Sequence, residues 1–408
     1  MKEIYLVDGV RTAVARAGKR SWFTNVRADD LAVRVINELI RRIGLENKKE
    51  QIDDVILGGT SLMEDMGSNI GRLSVIMAGL PYSVPGCTID RFCASGLQSI
   101  ANAVAAINIG WMDLIVAGGV QHMTHIPMGK GSSPNPRLGE FADPRMSSMG
   151  YTAEMVARDF NISKEKQDQM SVESHAKAHK ATVDGLFKEE ILPIEADIPT
   201  KDGGTERMVV DRDQGIRPET TMETLATLPT VFMDDEKATV TAGNSSQVND
   251  AAACVLVASK EKCDELGLKP KLRLIDYAVV GVDPKYMGIG PSVAIPKVLE
   301  HAGMTMDQIG LWEVNEAFAS QAVYCTEKLG IRDHELLNPR GSGISLGHPL
   351  GCTGSRIAVT LMHEMSSYGV QYAVESMCVG HGQGAPRPFG SGLDKGPCPL
   401  WQESKYSI

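Results

Sequence analysis

Apolar positions along the chain alternate between helical spacing and short continuous runs. In "CASGLQSIANAVAAINIGWMDLIVAGG" (93–119), Leu97, Ile100, Val104 and Ile107 fall on one helical face, and a strand-like run follows. Gly110 stands where a helix C-terminus needs a left-handed residue. Alanine fills much of the remaining surface, so this helix is expected to be buried on several sides. Helix-like and strand-like segments follow each other in this way over most of the sequence, which predicts an α/β fold.

The pattern repeats at an offset of about 257 residues. "DLAVRVINELIRRIGLENKKEQIDDVILGG" (30–59) reads as helix, acidic turn and strand, and so does "PSVAIPKVLEHAGMTMDQIGLWEVNEA" (291–317). Ile52 then matches Ile309, and Gly58 matches Asn315. The helix and strand of 93–119 return as "GCTGSRIAVTLMHEMSSYGVQYAVESMC" (351–378). Gly354 takes the place of Gly96, Ile357, Leu361 and Met365 form the apolar face, and Gly369 is the stop. Two related α/β halves, each with its own sheet, are therefore expected. The first is residues 1–120, completed by about 238–262, and the second is 263–390.

Between them, 121–237 breaks the repeat. It holds the Gly-, Pro- and Ser-rich "GKGSSPNPRLGEFADPR" and an amphipathic helix starting near Ser163, an N-cap residue. It reads as an inserted lid or ligand-binding subdomain, with a purely structural insert as the alternative. Residues 391–408 form an atypical tail.

Composition narrows the function. A net charge of −10 argues against nonspecific nucleic-acid binding. No run of about 18 apolar residues predicts a membrane span. The opening "MKEIYLVDGVRTAVAR" reads as a first strand, not a signal peptide. The eight cysteines lack a disulfide or zinc spacing, and a reducing, cytoplasmic setting is expected. Cys87, Cys254, Cys263, Cys325 and Cys398 read as small buried apolar residues.

The repeat sets the remaining unusual residues against each other. Cys93 precedes the first buried helix, whose free N–H groups are expected to lower its thiol pKa. His348 precedes the matching helix. Cys378 ends the strand that ends at Gly119 in the first half, and Asn315 ends the other repeated strand. Singly, His348 also reads as a core or capping histidine and Asn315 as a cap or turn residue. Converging across a pseudo-twofold axis, they read as a Cys–His nucleophile with a second thiol as acid/base. Gly380, in "CVGHGQG", could add a backbone N–H for an oxyanion.

These motifs resemble the thiolase family. "CTIDRFCASGLQ", "NEAFASQ", "GHPLGCTGSR" and "CVGHGQG" are similar to its signature blocks, in the same order, and the likeness runs from Lys2 to about Gly384. The resemblance implies two five-layered α/β halves with an inserted loop domain. It implies that Cys93 is acylated, that His348 activates it and binds the thioester oxygen with a water held by Asn315, and that Cys378 moves the α-carbon proton. The N–H groups of Cys93 and Gly380 would form a second oxyanion hole. "TAGNSSQVNDAAA" (241–253) resembles the family's strand-and-helix bridge beside coenzyme A, which brings in Ala242, Gly243 and Ser246. Ser246 and Phe318 would line the pantetheine tunnel, and Arg217 would lie on the adenine side. Coenzyme A enters as substrate. No metal and no tightly bound cofactor is implied. The implied partners are a second copy, as homodimer or homotetramer, and a hydratase/dehydrogenase subunit of β-oxidation. "VQHMTHIPM", "GIRPETT" and "VVGVDPKYMGIGP" look closer to degradative 3-ketoacyl-CoA thiolases than to acetoacetyl-CoA-synthesising ones.

Two features depart from the family pattern. His381 stands where a small or apolar residue is usual. It is expected to be a solvated loop residue, with perturbation of Cys378 as the alternative. Pro386 and Pro388 lack N–H donors, so 385–391 is expected to be a poor central strand and the chain end a replaced one. Rival readings are a decarboxylating ketosynthase, which would use a second histidine where Cys378 stands, and a noncatalytic CoA- or lipid-binding relative, which would lose Cys93 or His348. An assembly role in a β-oxidation complex is compatible with catalysis.

Overall fold

The computed structural model describes residues 2–392. The first half opens with β1 (Ile4–Arg11) and the short β2 (Ala15–Arg16), then α1 (Ala28–Arg42), β3 (Asp54–Gly58), α2 (Ile70–Met77) and β4 (Gly86–Ile89). The buried helix α3 (Ser95–Asn108) and β5 (Leu114–His122) follow. The inserted stretch mixes regular elements with long loops. It carries α4 (Met149–Asp159), α5 (Lys164–Val183), the hairpin β6 (Ile194–Pro199) and β7 (Thr205–Val210), and α6 (Met222–Ala226). Ser163 caps α5 by accepting the Lys166 N–H at 3.3 Å. Then come β8 (Asn249–Ser259), α7 (Lys260–Leu266), β9 (Leu272–Leu274) and β10 (Val280–Gly281). The second half is completed by α8 (Gly290–His301), β11 (Leu311–Val314), α9 (Ala319–Leu329), α10 (Thr353–Tyr368), β12 (Tyr372–Val379) and β13 (Gln383–Ser391).

The repeat is visible in the pairing. In the first half, β3 lies parallel to β5, which runs antiparallel to β8, and β8 pairs antiparallel with β1. In the second half, β11 lies parallel to β12, which runs antiparallel to β13, and β13 pairs antiparallel with β9. The outer β4 of the first half has only a single parallel bridge, Trp312 to Leu337, as its counterpart. The expectation of two separate sheets needs correction. All three residues of β9 pair with β13, and Leu272 and Arg273 also pair with β1, so the half-sheets form one hydrogen-bonded path, β11-β12-β13-β9-β1-β8-β5-β3-β4.

The helix α3 is buried on several sides, as expected, and its repeat partner more completely. α3 keeps Asn102 and Ala105 exposed at its outer side, whereas α10 is buried from Thr353 to Met362 without interruption. The stops fall as the glycines predict: Gly110 and Gly369 take φ of +80° and +63°. The bridge at 241–248 carries no helix and runs as irregular backbone into β8.

The proline-bearing segment is the main correction. β13 is a central, buried strand with β12 on one side and β9 on the other. In an antiparallel ladder the N–H and C=O of one residue face the same neighbour. Pro388 accepts from the Ile275 N–H at 3.3 Å and Pro386 from the Ala278 N–H at 3.3 Å. Both missing donors therefore face 275–278, the irregular stretch between β9 and β10, where no regular ladder needs them. Ala385, Arg387 and Phe389 face β12, opposite Met377, Glu375 and Ala373. Prolines two residues apart leave one ladder whole. The residues beyond 392 lie outside those described.

Candidate active site

The repeat brings two helix starts together. α3 and α10 cross at Gly96 and Gly354, the residues the repeat equates. A Cβ on Gly96 would sit 2.8 Å from the Ser355 nitrogen, and one on Gly354 would sit 2.4 Å from the Leu97 nitrogen. Cys93 lies in a single 3₁₀ turn just before α3, and His348 five residues before α10. Asn315 follows β11, and its N–H donates to the Ser376 carbonyl at 2.9 Å, which places it beside the end of β12. Cys378 is on that end.

His348 is held by Asn249 and Thr353. Its N–H donates to Asn249 Oδ1 at 2.8 Å. Its Nδ1 lies 2.7 Å from Thr353 Oγ1 and 3.4 Å from Asn315 Nδ2. Thr353 uses its own proton on the Pro349 carbonyl at 3.0 Å. It therefore accepts from His348 Nδ1–H, and Nε2 carries the lone pair. Nε2 of His348 and Oδ1 of Asn315 are buried and unpartnered. Buried polar atoms are rarely left so, and two together mark a place built to receive polar groups. Burial, with Arg356 adding to it, pushes the imidazole down to about 3, so His348 is neutral.

The Cys93 thiol is not lowered, contrary to the expectation from its helix start. Burial pushes it up to about 11, and Asp90 adds to the rise. The N–H groups of Gly380 and of Cys93 itself act in the opposite direction but do not win. The helix start favours a thiolate, but desolvation at full burial is the larger effect. Cys378 is raised well above the ordinary thiol range by burial, and next by the proximity of Cys93. Its Sγ donates to Gln321 Oε1 at 3.5 Å, and the same oxygen accepts from the Ala317 N–H at 3.1 Å.

Gly380 and Cys378 thus gather at the Cys93 sulfur. Asn315 lies next to His348, but its Nδ2 faces a ring nitrogen that already carries a proton, so the two are neighbours and not a hydrogen-bonded pair. Of the residues expected at coenzyme A, Phe318 shares an apolar cluster with Cys378. Ser246 donates its N–H to the Ala317 carbonyl at 2.9 Å, and Ser245 bridges to Phe318. The Phe318 ring meets Phe232 edge-on at 5.8 Å. Gly243 packs against Leu225 and Leu228, and Ala242 is exposed. Arg217 is half-buried on the 213–221 stretch, its N–H donating to His175 Nδ1 at 3.1 Å. It does not approach the thiols directly.

Sequence reasoning missed Gln321, Thr353, Asn249 and His175. Gln321 was within reach, since it closes "NEAFASQ" on the first turn of α9. The others become visible only through their contacts. Cys254, Cys263 and Cys325 are buried as read, Cys87 is half-buried, and Cys398 lies outside the described residues. Among the described residues no His, Cys, Asp and Glu side chains are grouped to hold a metal ion.

Such an arrangement suits acyl transfer through sulfur: two backbone donors at the Cys93 sulfur and a second thiol close to it, with a buried neutral imidazole at the start of the helix that crosses α3. Comparison with known proteins agrees. Residues 4–261 match the thiolase N-terminal domain and residues 268–387 the thiolase C-terminal domain. The chain belongs to the thiolase family. It is 45% identical over 395 residues to a 3-ketoacyl-CoA thiolase of Bacillus subtilis, covering 95% of this chain and 99% of that protein. It is 43% identical to the peroxisomal 3-ketoacyl-CoA thiolase A of Mus musculus, covering 95% and 90%. The dimeric peroxisomal thiolase of Saccharomyces cerevisiae superposes with a TM-score of 0.84 at 37% identity, covering 96% and 97%. An acetyl-CoA acetyltransferase of Bacillus anthracis superposes equally well, at 36% identity, covering 96% and 99%.

Proposed function

We propose that this acyltransferase cleaves a 3-ketoacyl-CoA with free coenzyme A, giving acetyl-CoA and a shortened acyl-CoA in β-oxidation. The observation that carries the reading is the convergence of both thiols with the Gly380 N–H at the Cys93 sulfur. Coenzyme A is a substrate, and Ser246, Phe318, Ala242, Gly243 and Arg217 form its binding side.

The resting charges set the order of events. A thiol held near 11 and an imidazole near 3 do not exchange a proton at rest. The proton leaves Cys93 only as its sulfur bonds to the keto carbon. The N–H groups of Gly380 and Cys93 receive the developing oxyanion there. His348 Nε2, an acceptor at rest, becomes an N–H donor once it holds that proton. It then supports the enolate oxygen of the leaving acetyl unit, together with a water on Asn315. Cys378, its thiol protonated at neutral pH, supplies the proton to the α-carbon. The acyl group stays on Cys93 until coenzyme A takes it: the coenzyme A thiol gives its proton to the Cys378 thiolate as its sulfur attacks, and the Cys93 sulfur leaves with the proton held by His348.

A homodimer fits the surface. β4 is an outer strand bonded only to β3, and Leu73, Ile76, Met77 and Tyr82 beside it are exposed. Tetramer formation and a hydratase/dehydrogenase partner go with the same reading, as does a cytoplasmic location. No helix of the described residues is long and apolar enough to cross a membrane. The test is thiolysis of acetoacetyl-CoA against 3-ketodecanoyl-CoA, with Cys93→Ala as control. Turnover of the longer substrate that is lost in Cys93→Ala supports the reading. Full activity in Cys93→Ala contradicts the mechanism, and a clear preference for acetoacetyl-CoA turns the assignment to the biosynthetic direction.

A further inference from the structure

A cavity of about 380 Å³ opens at Cys93 and Gly380. None of the residues assigned to coenzyme A lines it, so it is the space left for the acyl group on the sulfur. Its apolar lining comes from Met63, Met128, Met149 and Leu350, and methionine walls adapt to flexible chains. One side is closed by two rings, Phe92 and His381, whose centroids lie 5.1 Å apart at 59°.

Both residues hold an unusual backbone. Phe92 has φ of +46° and His381 has φ of +61°. Ser61, on the same cavity, has φ of +57°, and Glu64, paired to the cavity residue Lys130, has φ of +49°. Three of the eight non-glycine residues with positive φ among those described thus line this cavity, and a fourth, Glu64, is paired to its Lys130. Such backbone is disfavoured for a residue with a Cβ and persists where the surroundings enforce it, commonly at functional sites. A glycine at 381 would take φ of +61° freely. The chain instead carries an imidazole there, one residue after the Gly380 donor and one before Gly382, at φ of +86°.

We propose that His381, braced by Phe92, is the specificity-determining wall of the acyl cavity and limits the bulk of the acyl chain accepted on Cys93. His381 is exposed on its outer side, as expected of a loop residue, but its ring faces Phe92 and the cavity. Because both rings sit beside the reacting sulfur, they act on the chain carbons nearest the thioester. The inference rests on a 3-ketoacyl-CoA as substrate.

The test is the ratio of kcat/KM for 3-ketodecanoyl-CoA over acetoacetyl-CoA in the wild type, His381→Gly and His381→Asn. A discriminating apolar contact is worth about tenfold or more. His381→Gly is expected to raise the ratio by about that factor, and His381→Asn, which tolerates positive φ, by less. Phe92→Ala should raise the ratio too, but add less in the His381→Gly background than alone, because the rings form one wall. A ratio within about twofold of the wild type in folded His381→Gly overturns the proposal, whatever happens to kcat; that bound is well under the expected step. If His381→Gly fails to fold, His381→Asn decides: an unchanged ratio overturns the proposal and a raised one supports it. A wild type that cleaves neither compound removes the substrate reading itself, and the proposal with it.

Discussion

Gly96 and Gly354 face each other where α3 and α10 cross, and neither position has room for a Cβ. This contact fixes the distance between the helix starts that carry Cys93 and His348. Replacing Gly354 by alanine pushes the helices apart. The expected cost is about 1–3 kcal/mol of stability, with a loss of kcat larger than the loss of stability suggests. Thermal unfolding and steady-state kinetics on one preparation check this. An active Gly354→Ala protein with unchanged Tm would show that the crossing does not set the site.

The charge state of Cys93 has a direct chemical signature. Its thiol is raised to about 11, so below that pH its thiolate fraction grows about tenfold per pH unit. Alkylation of the Cys93 peptide by iodoacetamide should therefore climb steadily from about pH 7 to pH 9 without a plateau. Turnover should stay roughly flat over that range, since His348 is neutral throughout and takes the proton during attack. Alkylation that levels off below pH 8 would show a preformed thiolate.

Gln321 Oε1 accepts from the Cys378 thiol at 3.5 Å and so orients the S–H that delivers the proton. Gln321→Met removes the acceptor at similar volume. The expected result is a fall in kcat of about tenfold or more with KM little changed. Exchange of the acetyl-CoA methyl protons with solvent should slow in parallel. An unchanged exchange rate would separate Gln321 from Cys378 function.

β13 can be tested by one residue. Phe389 is fully buried between β12 and β9. Phe389→Ala is expected to cost about 3–5 kcal/mol, read from urea unfolding. A cost near zero would return this segment to the solvated chain end that its prolines suggest.

That segment shows where sequence reading stops. The repeat was legible because helix periods, glycine stops and the pairs Gly58–Asn315 and Gly119–Cys378 are local signals. The position of β13 was not. Pro386 and Pro388 declare that two donors are missing, but not which neighbour they face. Only the register shows that both face 275–278. The nearness of Cys93 to Cys378 and of Asn315 to His348 followed from the repeat together with the family blocks. The thiol pKa did not follow, because a helix start is written in the sequence and the depth of burial is not. The His348 tautomer depends on where Thr353 sends its proton, a matter of side-chain geometry alone.

The account rests on an acyl group carried by Cys93, and mass spectrometry of the protein mixed with 3-ketodecanoyl-CoA and no free coenzyme A reads it most directly. Without an acceptor the acetyl-CoA leaves and the acyl group stays. The account predicts an octanoyl adduct on the peptide containing Cys93, discharged by added coenzyme A and absent in Cys93→Ala. An adduct on Cys378, or turnover in Cys93→Ala, would contradict it.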